Sequence, residues 1–376
     1  MQIYEFSLHL RKRYYRMKHF LLSAAALVIC LCAQAQVVRP EADVHFKAAL
    51  INDEFDVSNA ELAPSKTLAA LRLSPYVGIA LGDNHRIKVG FDIMKDFGTS
   101  GTKPVTELAA WYQYDKNGFT FAAGIFPGTL LKGYYSTAIF SDAARFYDAH
   151  YDGFYLGWKG EKSKYEVVFD WCGKFDADRR EQFYVLSTGA GWVTPWLALC
   201  WEGVFHHYAC SATVNGVVDD HLLHPYLKFE FSSVLPMDRL ELSLGGMVGY
   251  QMDRLKGERY IPKGLDAVVD VRKWGFGVRN QFYYGRNQMP FYNKTDASGA
   301  VYGDNLYFRA SWWQIRKDGE WGLYDRLDAY WVKNLNEYVS LGVHAVFHFD
   351  YLGFLGCQQF IQANFNLENL SLFRRK

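Results

Sequence analysis

The sequence alternates between apolar and polar side chains, with a period of two residues, over most of its length. In the segment YEVVFDWCGK, residues 165–174, the odd positions up to 171 are aromatic or aliphatic, whereas Glu166 and Asp170 are among the even ones. Successive side chains of a strand point to opposite faces, so this segment forms a strand with one apolar and one wet face. The split recurs over residues 70–367 in segments of roughly ten residues. The chain is therefore predicted to be an all-β transmembrane antiparallel barrel.

Seventeen segments carry this alternation and are predicted as strands. A barrel with both chain ends in the periplasm needs an even number, so about sixteen strands are predicted, with 14 or 18 as alternatives. The least regular regions are those near Val44 and from Tyr351 to Gly356. The segments are 44–51, 71–79, 87–93, 108–114, 119–125, 154–158, 165–171, the surroundings of 183, 197–205, 227–231, 240–248, 267–271, 276–284, 306–312, 323–331, 339–349 and 361–367.

The connections between these segments alternate in length. Short turns are predicted at 82–85, 115–118, 159–163, 193–196, 235–239, 274–275 and 317–319, with longer connections between them. Outer-membrane barrels have short periplasmic turns and long outer loops. The alternative is a soluble β-sandwich or a large periplasmic β-protein, which would carry polar residues on its outward face. Aromatic residues near the segment ends favour the membrane barrel, because such residues form girdles at the two membrane interfaces.

The N-terminal segment has the parts of a secretory signal peptide. Basic residues within 11–18 precede an apolar run, Phe20–Leu31, and the small residues of Ala33–Ala35 suit cleavage before residue 36. Met17 would also serve as a start, which would make residues 1–16 an upstream extension. The mature chain is then predicted to be 36–376, a single outer-membrane barrel domain.

The charges of the mature chain nearly balance. Cleavage removes five basic residues and one acidic residue, which leaves 36 basic and 39 acidic side chains. This balance does not favour nucleic acid as a partner. Cys200 and Cys210 could form a disulfide in an exported protein. The predicted location is the cell outer membrane, with outer-membrane lipid, lipopolysaccharide and the barrel-assembly machinery as partners.

The polar faces of the predicted strands carry charges of both signs. A charge facing lipid at mid-depth would cost roughly 2–4 kcal/mol, so these side chains are predicted to face a wet lumen. In the simplest interpretation they form cross-strand ion pairs. A basic ladder opposite an acidic wall is the alternative, and it would favour polar over apolar solutes. The predicted pore-lining residues are Arg72, Asp92, Glu166, Asp170, Arg272, Arg279, Arg309 and Arg326.

The long connection 128–145 follows the predicted fifth strand. In this order of strands and loops the chain resembles the general porins of the outer membrane, an architectural resemblance over most of the mature chain without a sharp motif. In that family the third outer loop joins strands five and six and folds into the barrel. The resemblance implies a constriction loop here, and an ordinary surface loop is the alternative. Its candidate charges are Asp142, Arg145, Asp148 and Asp152.

The sequence offers no residue set for catalysis or metal binding. His344 and His348 share an inward face, but four residues of a strand span about 13 Å, which is too far for one metal ion. Ser187 faces outward on this parity, whereas His206 and the other two histidines face inward, so no pair of serine and histidine is predicted. The chain is not expected to be an enzyme or to need a cofactor or metal.

These features predict a passive outer-membrane channel for small polar solutes, as a monomer or a homotrimer. Eight strands are already filled by their own side chains, so sixteen leave room for water. The alternative function is a non-channel barrel that acts as a surface-binding or scaffold protein through its long loops. A plugged interior would favour that alternative.

Overall fold

The computed structural model describes residues 38–55, 65–99, 102–177, 179–232, 234–311, 313 and 320–371. Every strand in these ranges belongs to a single antiparallel sheet. The strands are β1 (Val38–Phe55), β2 (Lys66–Leu81), β3 (His85–Asp96), β4 (Val105–Lys116), β5 (Phe119–Pro127), β6 (His150–Lys159), β7 (Ser163–Gly173), β8 (Gln182–Thr194), β9 (Leu197–Tyr208), β10 (Val218–Glu230), β11 (Arg239–Asp253), β12 (Glu258–Tyr260), β13 (Lys263–Lys273), β14 (Phe276–Gly285), β15 (Gly322–Asn334), β16 (Val339–Asp350) and β17 (Gly353–Ser371).

The sheet closes on itself. Strand β1 pairs with β2 on one side and with β17 on the other, in a register that runs from Glu41 opposite Ser371 to Phe55 opposite Gly356. The three residues of β12 pair only with the end of β11, which also pairs with β13. The barrel wall therefore contains sixteen strands, and the predicted barrel and its even strand number are confirmed.

The surplus segment among the seventeen predictions is 306–312. Its described residues, 306–311, lie in the connection between β14 and β15 and form no strand, and Leu306 is the last residue of the short helix Gly303–Leu306. Of the two regions predicted as least regular, Val44 lies in β1, and 351–356 consists of a two-residue turn followed by the start of β17, which pairs with β1 to complete the barrel. The predicted turn at 317–319 lies outside the described residues. The next turn after β15 is at 335–338.

The outward face of the wall is apolar. Exposed side chains at mid-strand include Phe91, which is 51% exposed, and Leu199, which is 54% exposed. Near the short turns the outward residues are aromatic, as at Trp158 and Trp196. A soluble β-protein would place polar residues here, so this face supports burial in lipid.

Connection lengths differ between the two ends of the barrel. At the end called here the short-turn end, β2–β3, β4–β5 and β13–β14 are joined by turns of two or three residues. At the long-loop end, residues 128–149 join β5 to β6 and residues 286–321 join β14 to β15.

Helical structure in the described ranges is confined to the loops. It comprises the 3-10 turn Gly128–Leu130, helix α1 (Asp142–Tyr147) and helix α2 (Gly303–Leu306). None of these helices is long and apolar enough to cross a bilayer.

Two predictions concern features outside the strands. The predicted signal peptide lies outside the described residues. The four cysteines of the described ranges are free, so Cys200 and Cys210 are not bridged.

Candidate functional site in the barrel interior

Two long connections fold into the barrel. Inner loop A is defined as residues 128–149 and inner loop B as residues 286–321, of which 312 and 314–319 are not described. Loop A buries Tyr135 and Phe140 against aromatic side chains of the wall. Loop B buries Phe291 and Trp313 in a second cluster. The lumen is thus largely filled by the chain itself.

The two inner loops are joined to each other. The Ser141 amide donates to the Arg309 carbonyl at 2.7 Å, and the Ser311 amide donates to the Thr137 carbonyl at 2.7 Å. The Trp313 indole also donates to the Thr137 hydroxyl at 3.2 Å. These bonds make one inserted unit of the two loops.

Wall carboxylates hold the backbone of inner loop A. The Lys132 amide donates to Glu166 at 2.9 Å, and the Ser136 amide donates to Glu202 at 2.5 Å. Between them, Gly133 passes so close to the wall that a Cβ atom there would lie 2.0 Å from the Thr188 methyl carbon and 2.7 Å from a Glu166 oxygen. Only a residue without a side chain fits this passage.

Arg309 links both inner loops to the wall. Its side chain is 2% exposed, and its Nε donates to Asp148 of loop A at 2.5 Å while a terminal nitrogen pairs with Asp170 of β7. The guanidinium also lies over the Tyr184 ring, 4.3 Å from its centre. Arg309 was predicted on a strand, and that placement was wrong because its segment belongs to loop B.

Other predicted pore-lining charges are also engaged in pairs. Arg72 pairs with Asp92 at 3.1 Å and donates to the Tyr147 carbonyl of loop A at 3.0 Å. Arg326 of β15 pairs with Asp142 at 3.3 Å, which fixes the start of α1.

Arg279 and Arg272 differ in what they contact. Arg279 donates to the Tyr134 hydroxyl of loop A and lies 3.7 Å from Asp270. Arg272 lies opposite Arg239 at the short-turn end, where it has no ion pair among the described residues.

Asp152 is not part of inner loop A, and its prediction as a constriction residue was wrong. The chain rejoins the wall at His150, where β6 begins. Asp152 is a residue of β6 and lies opposite Ile125 of β5. The inward positions of β6 belong to Tyr151 and Tyr155, which are buried, so Asp152 shares the exposed outward parity.

A gap remains between inner loop A and the wall formed by β1 and β17. Its volume is about 320 Å³, and Lys47 and Arg145 both line it. Neither cation has a carboxylate partner within the part of the chain that the structure describes. Arg145 instead donates to the Tyr135 carbonyl at 2.7 Å. The other polar lining residues are Asp142, Asp148, Gln362 and Asn364.

Sequence reasoning missed Lys47. It shares the inward parity of β1 with Asp43 and His45, which are both buried. That parity was the available signal, but β1 was one of the two strands judged least regular.

A second cavity lies under inner loop A toward the short-turn end. It has a volume of about 380 Å³ and mixes aromatic rings with charges of both signs. Its lining includes Tyr134, Tyr155, Trp192, Tyr226, Glu166, Asp266 and Arg279.

Tyrosines of inner loop A are held in the neutral form. Burial, with Glu166 nearby, raises the pKa of the Tyr135 hydroxyl far above its usual value. Burial and a hydrogen bond to Asp96 raise the pKa of Tyr147 to about 12. Both hydroxyls are therefore neutral near pH 7, and that of Tyr147 donates to Asp96 at 2.9 Å.

Solved structures share this architecture. OpdL of Pseudomonas aeruginosa aligns with a TM-score of 0.50 at 10% identity, over 88% of this chain and 99% of that one. The chain has the porin-type barrel fold. OmpT of Vibrio cholerae, described as an outer membrane protein in a trimer form, aligns with a TM-score of 0.51 at 7% identity, over 88% of this chain and 100% of that one. Among curated proteins, no sequence matches. The porin-type fold and its apolar outward face point to the outer membrane.

A family model described as lipid A 3'-O-deacylase-type matches residues 44–195 of this porin-type barrel. Ser187, the serine in this range that was predicted to face outward, accepts a hydrogen bond from the Trp201 indole at 3.2 Å. Its cross-strand neighbours are Val167 and Gly203. A hydrolase serine needs an adjacent base, and none of these neighbours supplies one.

Proposed function

We propose that this protein is a passive outer-membrane channel for small polar solutes, and that the gap beside inner loop A is the passage. The observation that carries the proposal is the polar gap of about 320 Å³ that remains where the inserted loops meet β1 and β17. Polar solutes would cross it by exchanging water for side-chain contacts, without energy input. The arginines and carboxylates that anchor the loops would set the shape of the gap.

The charges of the gap favour anions. Each of its two acidic groups lies in an ion pair, Asp142 with Arg326 and Asp148 with Arg309. Lys47 and Arg145 remain without a carboxylate partner among the described residues. Charged groups in a narrow passage select solutes of the opposite sign, so we expect anions to cross faster than cations.

The proposed location in the outer membrane follows from the apolar outward face of the barrel. Its apolar band would contact outer-membrane lipid and lipopolysaccharide, and insertion would depend on the barrel-assembly machinery. A homotrimer is proposed as one assembly, and a monomer is the other.

Single-channel recording in a planar bilayer tests the channel and its selectivity together. Discrete conductance steps are expected, with a reversal potential in a KCl gradient that reports anion preference. The double variant Lys47→Glu with Arg145→Glu should shift that potential toward cation preference. A double variant with the same charge change at exposed positions of the short-turn end, Arg39→Glu with Lys162→Glu, should shift it much less.

A non-channel barrel is the second candidate, and the filled interior favours it. Both inner loops are packed into hydrophobic clusters, and their polar groups are bonded to the wall. In this case the outer loops would serve as a binding or scaffold surface. The heat-dependent gel shift would show that the protein is folded. If folded protein gave no conductance steps in the bilayer, this would contradict the channel and support the non-channel barrel.

A further inference from the structure

The barrel wall has a notch at its long-loop end, between β4 and β6. Paired residues of β4 and β5 run only from Ala110 opposite Ile125 to Lys116 opposite Phe119, so the start of β4 has no partner in β5. A cavity of about 430 Å³ occupies this place. It is lined by outward residues such as Trp171 as well as by inward ones.

Three metal-binding side chains converge at the notch. Asp92 of β3 and Glu107 of β4 lie directly opposite each other, and His150 begins β6. One ligand atom from each lies within 4.8 Å of the others. The Asp92 Oδ2 and His150 Nδ1 atoms are 3.9 Å apart. Sequence reasoning could not group them, because they come from three strands.

Neighbouring side chains orient two of these groups. Ser74 donates to Asp92 Oδ1 at 2.5 Å, and Asp92 Oδ2 lies 3.1 Å from Arg72 Nε and 3.9 Å from His150 Nδ1. His150 Nε2 is bonded to the Tyr76 hydroxyl at 2.7 Å. In the tautomer in which Nε2 donates to Tyr76, Nδ1 presents the lone pair that a metal ion requires.

The His150 Nδ1 atom itself indicates a missing ligand. The side chain is only 7% exposed, and this nitrogen has no hydrogen-bond partner among the described residues. Leaving a buried polar atom unpaired costs free energy. A metal ion bound at this position would satisfy it.

The notch also carries an excess of negative charge. Arg309 is shared by Asp148 and Asp170, and Arg72 pairs with Asp92. Two further carboxylates of the region have no cationic partner in the described ranges. They are Glu107 and Asp152, and both line the cavity of about 430 Å³.

We propose that this notch binds one divalent cation through Asp92, Glu107 and His150. An imidazole together with carboxylates suits Zn²⁺ and similar transition-metal ions, whereas Ca²⁺ and Mg²⁺ prefer oxygen ligands alone. The ion would join β3, β4 and β6 where the wall lacks strand pairing. This site is independent of whether solutes pass through the barrel.

Metal binding to the folded barrel in detergent tests the proposal. After treatment with a chelator, the protein is titrated with Zn²⁺ by calorimetry, and the bound ion is counted after removal of excess. One Zn²⁺ per chain is expected, with at least a tenfold weaker affinity in His150→Gln and in Glu107→Gln. The matched controls His221→Gln and Glu161→Gln change exposed or outward groups away from the notch, and they should bind like the parent.

Two results would overturn the site: no Zn²⁺ bound to the parent protein, or unchanged affinity and stoichiometry in both ligand variants. Ca²⁺ binding in place of Zn²⁺ would overturn the role of His150. Glu107 is exposed, so Glu107→Gln should fold, and the heat-dependent gel shift checks this. Glu107→Gln alone decides the matter if His150→Gln fails to fold.

Discussion

At the scale of single residues, several inward charges hold the inserted loops. Arg309 is the clearest case, because it joins Asp148 on one loop to Asp170 on the wall while almost fully buried. Removing one partner of a buried ion pair leaves the other charge uncompensated. Lys47 and Arg145, which line the gap, have no carboxylate partner among the described residues.

Substitution of Arg309 tests this role. We expect Arg309→Gln to lower the free energy of unfolding by about 3 kcal/mol or more, because the buried Asp170 and the part-buried Asp148 lose their cation. The measurement is the urea midpoint in lipid vesicles, followed by the gel shift. Arg272→Gln is the control, since Arg272 has no ion pair among the described residues, and it should change stability by less than about 1 kcal/mol. Equal effects of the two variants would contradict the anchoring role.

At the scale of elements, strand positions followed from the sequence because lipid outside and polar groups inside impose a period of two residues. The one surplus prediction, 306–312, has the same alternation for a different reason. Leu306 packs into the cluster formed by loop B, whereas the next inward charge, Arg309, reaches the wall. Parity alone does not distinguish an apolar side chain facing lipid from one packed in a filled lumen.

The site was less accessible to sequence reasoning than the strands were. The inward direction of Asp92 and Glu166 followed from parity, and both are buried. The pairing of Arg326 with Asp142 joins residues 184 positions apart, which no local pattern specifies. Asp152 was misplaced because the loop boundary is set by where β6 begins to pair with β5.

The close passage of inner loop A along the wall gives a prediction for Gly133. An added methyl group would overlap the Thr188 side chain, so Gly133→Ala should displace the loop and destabilise the barrel by about 1–3 kcal/mol. The urea midpoint measures the loss, and the single-channel conductance should change with the loop. Gly191→Ala is the matched control in β8, because nothing lies within 4 Å of the added atom. An unchanged urea midpoint in Gly133→Ala would show that the loop does not pack closely against the wall at this point.

At the scale of the whole molecule, closure leaves the sheet without a free first or last strand, and among the described residues the start of β4 is an edge that lacks a partner in β5. The last strand pairs with the first over most of their lengths. The backbone groups of the paired positions are bonded within the sheet, which is the condition for crossing a bilayer as strands. The outward apolar band has no other partner in the described residues, so lipid is the environment that the closed barrel requires.

That requirement is tested by placing a charge on the outward face at two depths. Phe91 lies at the middle of β3 and is 51% exposed, whereas Val193 lies near the short-turn end and is 60% exposed. In vesicles, Phe91→Lys should lower the free energy of unfolding by about 2–4 kcal/mol and Val193→Lys by about 0–1 kcal/mol, because the cost of a charge depends on its depth in lipid. For a soluble barrel both positions would face water, and both variants would remain within about 0.5 kcal/mol of the parent. A loss of stability that is larger for Phe91→Lys than for Val193→Lys would therefore establish that this face lies in the membrane. Unchanged stability in both variants would contradict it.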